Sequence, residues 1–130
     1  MAKSLEIKIT SSEASSAILT VVGRVDSETS AEFIRLVKPL AEKRAFKLLI
    51  DMAGCHYISS AGVSAFFDLR KGIQKRQGVV SFCSLQPQIK KVFEIVKALP
   101  LECVFSNPAQ ADAYLDRMMS EELKKNPPKK

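Results

Sequence analysis

The sequence predicts an α/β fold: one mixed sheet of four to five strands packed with four helices, in the order ββαβαβα(β)α. Three observations predict it. Segments of period two alternate along the chain with segments of helical period. The first two apolar segments are joined by a short polar stretch, as in a hairpin. Leu48-Leu49-Ile50 is continuously apolar, as in a central strand covered on both faces. The length of 130 residues suits one domain, set here at 1–120, followed by a basic, disordered tail at 121–130.

Leu5 to Thr10 alternates polar and apolar residues and reads as a half-buried strand. Ser11 to Ser16 reads as a polar turn, and Ala17 to Val22 as a second strand stopped by Gly23. Asp26-Ser27-Glu28-Thr29 carries helix-start chemistry. Phe33, Leu36, Val37 and Leu40 then recur at helical spacing through about Lys43. Phe46 to Ile50 is the third strand and Asp51 to Tyr57 a loop. Ile58-Ser59-Ser60-Ala61-Gly62 opens a second helix, with Val63, Phe66, Phe67 and Ile73 as its apolar face and Gly78 as its end.

Val79 to Cys83 is the fourth strand. Pro87 suits the first turn of a third helix, whose apolar face is Ile89, Val92, Phe93 and Val96 and which Pro100 closes. A short strand around Cys103-Val104-Phe105 follows. Asn107, Pro108 and Gln110 then read as N-cap, first and third positions of a last helix carrying Ala111, Tyr114, Leu115 and Met118. The end of the chain, Lys124 to Lys130, holds two prolines and is expected to be solvated.

Composition excludes several function classes. Hydrophobic residues are 46 % and charged residues 26 %, a globular balance. No apolar run approaches the roughly 20 residues a membrane span needs, and Met1-Ala2-Lys3-Ser4 leads into no secretory signal. A cytoplasmic location without membrane insertion is expected. The net charge of +6 comes without a basic stripe interleaved with aromatics, so no direct nucleic-acid contact is expected. Cys55, Cys83 and Cys103 are odd in number, lack short spacing and accompany a single histidine, His56. They read as reduced, buried thiols rather than disulfides or metal ligands.

Catalytic equipment is sparse. Cys55 and His56 are neighbours in an extended chain and point to opposite sides, so they form no dyad. Phosphate-binding glycine loops and a nucleophile-elbow pattern are absent from the sequence. No catalytic residue, metal or cofactor is assigned, and an enzyme ranks last among the readings.

The informative stretch is Tyr57-Ile58-Ser59-Ser60-Ala61-Gly62-Val63-Ser64. Two hydroxyls sit where a helix leaves a central strand, followed by the small residues Ala61, Gly62 and Ser64. Serine caps a helix well, which accounts for one of the pair. A helix N-terminus also favours an anion, so a phosphate on serine would be tolerated there in the free protein. In a closely packed interface the same phosphate would bring nearly two negative charges into a dry contact.

Gly23-Arg24-Val25-Asp26-Ser27-Glu28-Thr29-Ser30-Ala31, followed by Tyr57-Ile58-Ser59-Ser60-Ala61-Gly62-Val63, resembles the STAS domain, and within it the bacterial anti-sigma factor antagonists. The resemblance covers about residues 5 to 117. The family's helix-start pattern is Asp-Ser-Ser-Gly, with its first serine the phosphate acceptor. Placed on this chain, that serine falls on Ser60 and the glycine on Gly62. Ser59 replaces the aspartate and Ala61 the second serine, which leaves Ser59 open as a shifted acceptor. The family's partner-facing aspartate after the second strand falls on Asp26.

The resemblance implies partner switching. The unphosphorylated chain would bind an anti-sigma factor with a GHKL-type serine kinase fold and so free the sigma factor. Phosphorylation at Ser60 would dissociate the complex, and a PPM-type serine phosphatase would reset it. Asp26, Ser59, Ser60, Ala61, Gly62 and Ser64 would meet the partner, and this chain would be a kinase substrate rather than an enzyme. The alternative is a STAS module that docks without phosphorylation, as in a lipid-transport or signalling complex; Ser59 in place of aspartate favours it.

Overall fold

The computed structural model describes residues 4–96 and 103–125. The elements follow the expected order: β1 Leu5–Glu13, β2 Ser16–Val25, α1 Ser30–Ala41, β3 Lys47–Ile58, α2 Ser60–Lys75, β4 Val79–Cys83, α3 Pro87–Val96, β5 Val104–Phe105 and α4 Pro108–Lys125. The strands form one mixed sheet, β1-β2-β3-β4-β5, antiparallel in the first hairpin and parallel thereafter.

Alternation along the strands sorts the core onto two faces. Leu48 and Ile50 of β3, and Val80 and Phe82 of β4, join the cluster built on Phe33 of α1, Phe66 of α2 and Phe93 of α3. Phe66 stands at its centre, 4.6 Å from Phe33 and 6.1 Å from both Phe82 and Phe93 by ring centroid. Leu49 and Cys83 turn the other way and meet Ala111 and Leu115 of α4. Ser81 on that face donates its buried hydroxyl to the Ala111 carbonyl at 3.2 Å.

The hairpin is longer than expected. β1 runs on to Glu13 and β2 begins at Ser16, with an irregularity after Thr10, so the turn shrinks to Ala14 and Ser15. Gly23 does not stop β2. It takes φ +107° inside the strand, where a Cβ would collide with the Ser4 carbonyl, and the strand resumes through Val25.

The expected loop Asp51 to Tyr57 is instead the second half of β3. Val22 faces Gly54, Gly23 faces Cys55, Arg24 faces Tyr57 and Val25 faces Ile58, across two register shifts. Bulged pairing of this kind breaks period two, which hides the strand in the sequence: Met52, Cys55 and Ile58 are buried at a spacing of three. Gly54 lies against Val22, whose Cγ2 would stand 2.9 Å from an added Cβ. β4 covers β3 only from Lys47 to Asp51. Beyond it, the Gln86 amide donates to the Ala53 carbonyl at 2.8 Å and the Gln88 amide to the His56 carbonyl at 3.1 Å.

Smaller expectations change as well. Helix α2 ends at Lys75, short of Gly78; Gln77 takes the left-handed turn at φ 67°, and Phe46 and Ile73 crowd Gly78. Phe67 and Val96 are exposed rather than on apolar faces, and Met119 rather than Met118 is the buried methionine of α4. Helix α4 continues through Lys125, so residues 121–125 are helical and not tail. Its exposed face is polar and its last turn carries Lys124 and Lys125, which suit a helix C-terminus. Residues 126–130 and the expected stop at Pro100 lie outside the described residues. The N-cap of α4 is as read, with the Gln110 N–H donating to Asn107 Oδ1 at 3.0 Å. No helix among the described residues is long and apolar enough to cross a membrane.

Candidate functional site: the ends of strands β2 and β3

Val25 and Ile58 are register partners at the ends of parallel neighbours. β3 runs straight into the cap of α2, while the loop 26–29 separates β2 from α1, so the Asp26 loop and the Ser59-Ser60 pair emerge side by side. The Ser59 N–H donates to the Val25 carbonyl at 3.0 Å and locks the two exits together.

Ser59 is the N-cap of α2. Its extended backbone (φ −100°, ψ 177°) aims the hydroxyl back at the first turn, where Oγ accepts the Gly62 N–H at 3.3 Å. Ser59 is half-buried, whereas Ser60, the first helical residue, is exposed. The first turn contains no acidic side chain to offset the positive end of the helix dipole.

Gly62 is buried. A Cβ there would collide with the Val25 carbonyl and stand 2.8 Å from Ile58 Cγ1. The glycine lets α2 start directly against the end of β2. Ala61 is half-buried, and Ser64 is exposed one turn beyond Ser60.

Asp26 organises the neighbouring loop. Its Oδ1 accepts the Glu28 N–H at 2.9 Å and the Thr29 N–H at 3.1 Å, and Arg24 Nε lies 2.9 Å from Oδ2. The buried Thr29 hydroxyl donates to the Arg24 carbonyl at 2.9 Å and accepts the Asp26 N–H at 3.0 Å. Partial desolvation pushes the Asp26 carboxyl up. The two N–H donors and the guanidinium outweigh it, and the pKa falls below the ordinary 3.8. Arg24 also reaches Ser4 Oγ at 3.3 Å and Glu28 at 3.4 Å. Asp26 therefore shapes the surface from within; its side chain is only 15 % exposed.

Sequence reasoning missed Phe67. Helical spacing places Ser60, Ser64, Phe67 and Lys71 on one stripe of α2, and all four are exposed. The Lys71 ammonium lies 5.6 Å above the Phe67 ring. The signal was the same period that was read for the core: Phe66 and Phe67 cannot both face inward with Val63, Leu69 and Ile73. Tyr57, at the end of β3, is also exposed.

The Cys55-His56 pair behaves as its alternation requires. Cys55 is fully buried and donates to the Tyr57 carbonyl at 3.6 Å, while His56 is exposed. Burial pushes the Cys55 thiol up to about 11, so at neutral pH it is a protonated core residue. All three cysteines are free and buried.

The chain is 28 % identical over 78 residues to BtrV of Bordetella bronchiseptica, a protein provisionally named an anti-sigma factor antagonist; the match covers 60 % of this chain and 67 % of BtrV. Among solved structures, the anti-sigma factor antagonist SpoIIAA in its unphosphorylated form superposes with a TM-score of 0.72 at 10 % identity, covering 86 % of this chain and 97 % of SpoIIAA. SpoIIAA from Bacillus is also matched in its phosphorylated form, with a TM-score of 0.66. The murine anion transporter Slc26a9 contains the same fold, with a TM-score of 0.66 at 20 % identity over 81 % of this chain and 18 % of the transporter. Residues 6–111, from the first strand into the last helix, match the STAS domain, and with the five-stranded mixed sheet and its four helices they place this chain in the STAS domain family.

Proposed function

We propose that this chain is an anti-sigma factor antagonist that works by partner switching. In the unphosphorylated state it binds an anti-sigma factor of GHKL-type serine kinase fold, and the sigma factor is released. The kinase transfers the γ-phosphoryl of its own ATP to the Ser60 hydroxyl; ADP leaves and the complex parts. A PPM-type serine phosphatase hydrolyses the phosphoserine and restores the binding form.

One observation carries the reading. Ser60 is an exposed hydroxyl on the first residue of α2, while its neighbour Ser59 is occupied as the cap. This division favours Ser60 over Ser59 as acceptor. The position held by aspartate in the family pattern is filled here by Ser59, which caps α2. A phosphate on Ser60 is stabilised by the helix dipole in the free chain. Against a closely packed partner it meets a dry, repulsive contact. Ala61, Ser64 and Phe67 supply the rest of the docking face, and Asp26 holds the adjacent loop in shape.

The test is to incubate the protein with ATP and a GHKL-type serine kinase from the same genome, then map phosphate by mass spectrometry. Modification at Ser60, lost in Ser60→Ala, is the expected result. Modification at Ser59 moves the acceptor by one residue. Tight binding to the kinase with neither serine modified establishes the passive docking module instead.

A further inference from the structure

We infer that β1 is a self-complementary edge through which two copies of this chain join into one continuous antiparallel sheet. β1 ends the sheet, and no described strand pairs with its outer side. It is nine residues long, whereas the opposite edge, β5, has two. A long open edge exposes a row of main-chain donors and acceptors that readily pairs with another strand.

The phase of that edge follows from one bond. The Arg24 N–H donates to the Ser4 carbonyl at 2.9 Å, so Ser4 turns its backbone toward β2. In an antiparallel ladder the direction alternates, so Glu6 and Lys8 also turn inward, while Leu5, Ile7 and Ile9 present N–H and C=O to the open side. A second copy can pair in a register with Ile7 opposite Ile7. Leu5 then lies opposite the second copy's Ile9, and each of these pairs exchanges two hydrogen bonds.

Charge selects this register over its neighbours. Glu6 and Lys8 are exposed on the same sheet face. With Ile7 on the two-fold axis, Glu6 of each copy stands directly opposite Lys8 of the other. These are non-hydrogen-bonded pairs, whose side chains approach most closely. Sliding by one pair in either direction places Glu6 against Glu6 or Lys8 against Lys8. A lysine on an edge strand ordinarily discourages pairing; here the glutamate two residues earlier offsets that barrier toward a second copy of the same strand. Ile9, 43 % exposed at the end of the core face, gains cover from the second copy's Leu5.

The joint is short and belongs with weak interfaces, those below about 1,200 Å². Sedimentation velocity on the full chain, up to about 1 mM, reads it directly. The wild type is expected to form a reversible dimer. Glu6→Lys and Lys8→Glu each turn both cross-pairs repulsive and lower association about tenfold or more. Mixing the two variants restores dimerisation between unlike chains, and the chain carrying both changes dimerises like wild type. Circular dichroism matching wild type shows that the variants fold, as their exposed positions require. A wild type that stays monomeric across the range overturns the inference. So does a dimer indifferent to either reversal, or a mixture of folded variants that fails to associate.

Discussion

Ser59 and Gly62 close the first turn of helix α2 between them, the Ser59 hydroxyl accepting the Gly62 N–H at 3.3 Å. The bond occupies Ser59 and leaves Ser60, the next residue, uncovered. A structural hydroxyl and a surface hydroxyl thus stand side by side, and substitution separates their roles.

Ser59→Ala removes the cap and is expected to destabilise the fold by about 1 kcal/mol. Ser59→Asp keeps an acceptor at the cap and adds a negative charge at the positive helix end. Its stability is expected within about 0.5 kcal/mol of wild type, or above it. Urea midpoints of the two variants check both expectations.

Gly62→Ala forces a methyl group into the Val25 carbonyl and the Ile58 side chain. Helix propensity alone would favour alanine by about 1 kcal/mol, but overpacking of about 1–3 kcal/mol opposes it. Net loss of stability is expected in chemical denaturation. A Gly62→Ala protein as stable as wild type would show that α2 can move away from β2 freely.

Phe66 and Phe67 are adjacent and opposite in consequence. Phe66→Ala empties the centre of the aromatic cluster and is expected to cost about 3–5 kcal/mol. Phe67→Ala removes an exposed ring and is expected to change stability by no more than about 0.5 kcal/mol, while weakening partner binding. Thermal unfolding and a titration against the anti-sigma factor distinguish the two.

The same pair shows where the sequence was legible. Periodicity marked α2 and its buried stripe, but the doubled phenylalanine left the face ambiguous by one residue. The order of elements, the hairpin and the Asn107 cap were all carried by local chemistry. The second half of β3 was not. Its Ala53-Gly54 resembles a turn, and its pairing with β2 depends on register shifts set by a distant strand. Gly23 misled for a related reason, since it serves a bend inside β2 rather than an end. At the site, Ser59 and Ser60 were visible as a pair; which one caps and which one is exposed required coordinates. Gly62 looked like a small surface residue because its close neighbour, the Val25 carbonyl, lies far away in sequence.

Asp26 gives the loop a pH dependence. Its folded carboxyl titrates below the unfolded one, so the stabilisation is whole above the ordinary 3.8 and fades as pH falls through the folded value. Wild type is expected to exceed Asp26→Asn in stability at neutral pH, with the gap closing below about pH 4. Urea titrations of both proteins across that range measure it. A gap that persists unchanged into acid would assign the difference to loop shape rather than charge.

The most direct measurement is the affinity of the anti-sigma factor for this chain with and without phosphate on Ser60, by calorimetric titration of both forms. Phosphorylation is expected to weaken binding roughly 5- to 150-fold, the span of a coupling of about 1–3 kcal/mol. Equal affinity of the two forms would contradict partner switching at Ser60.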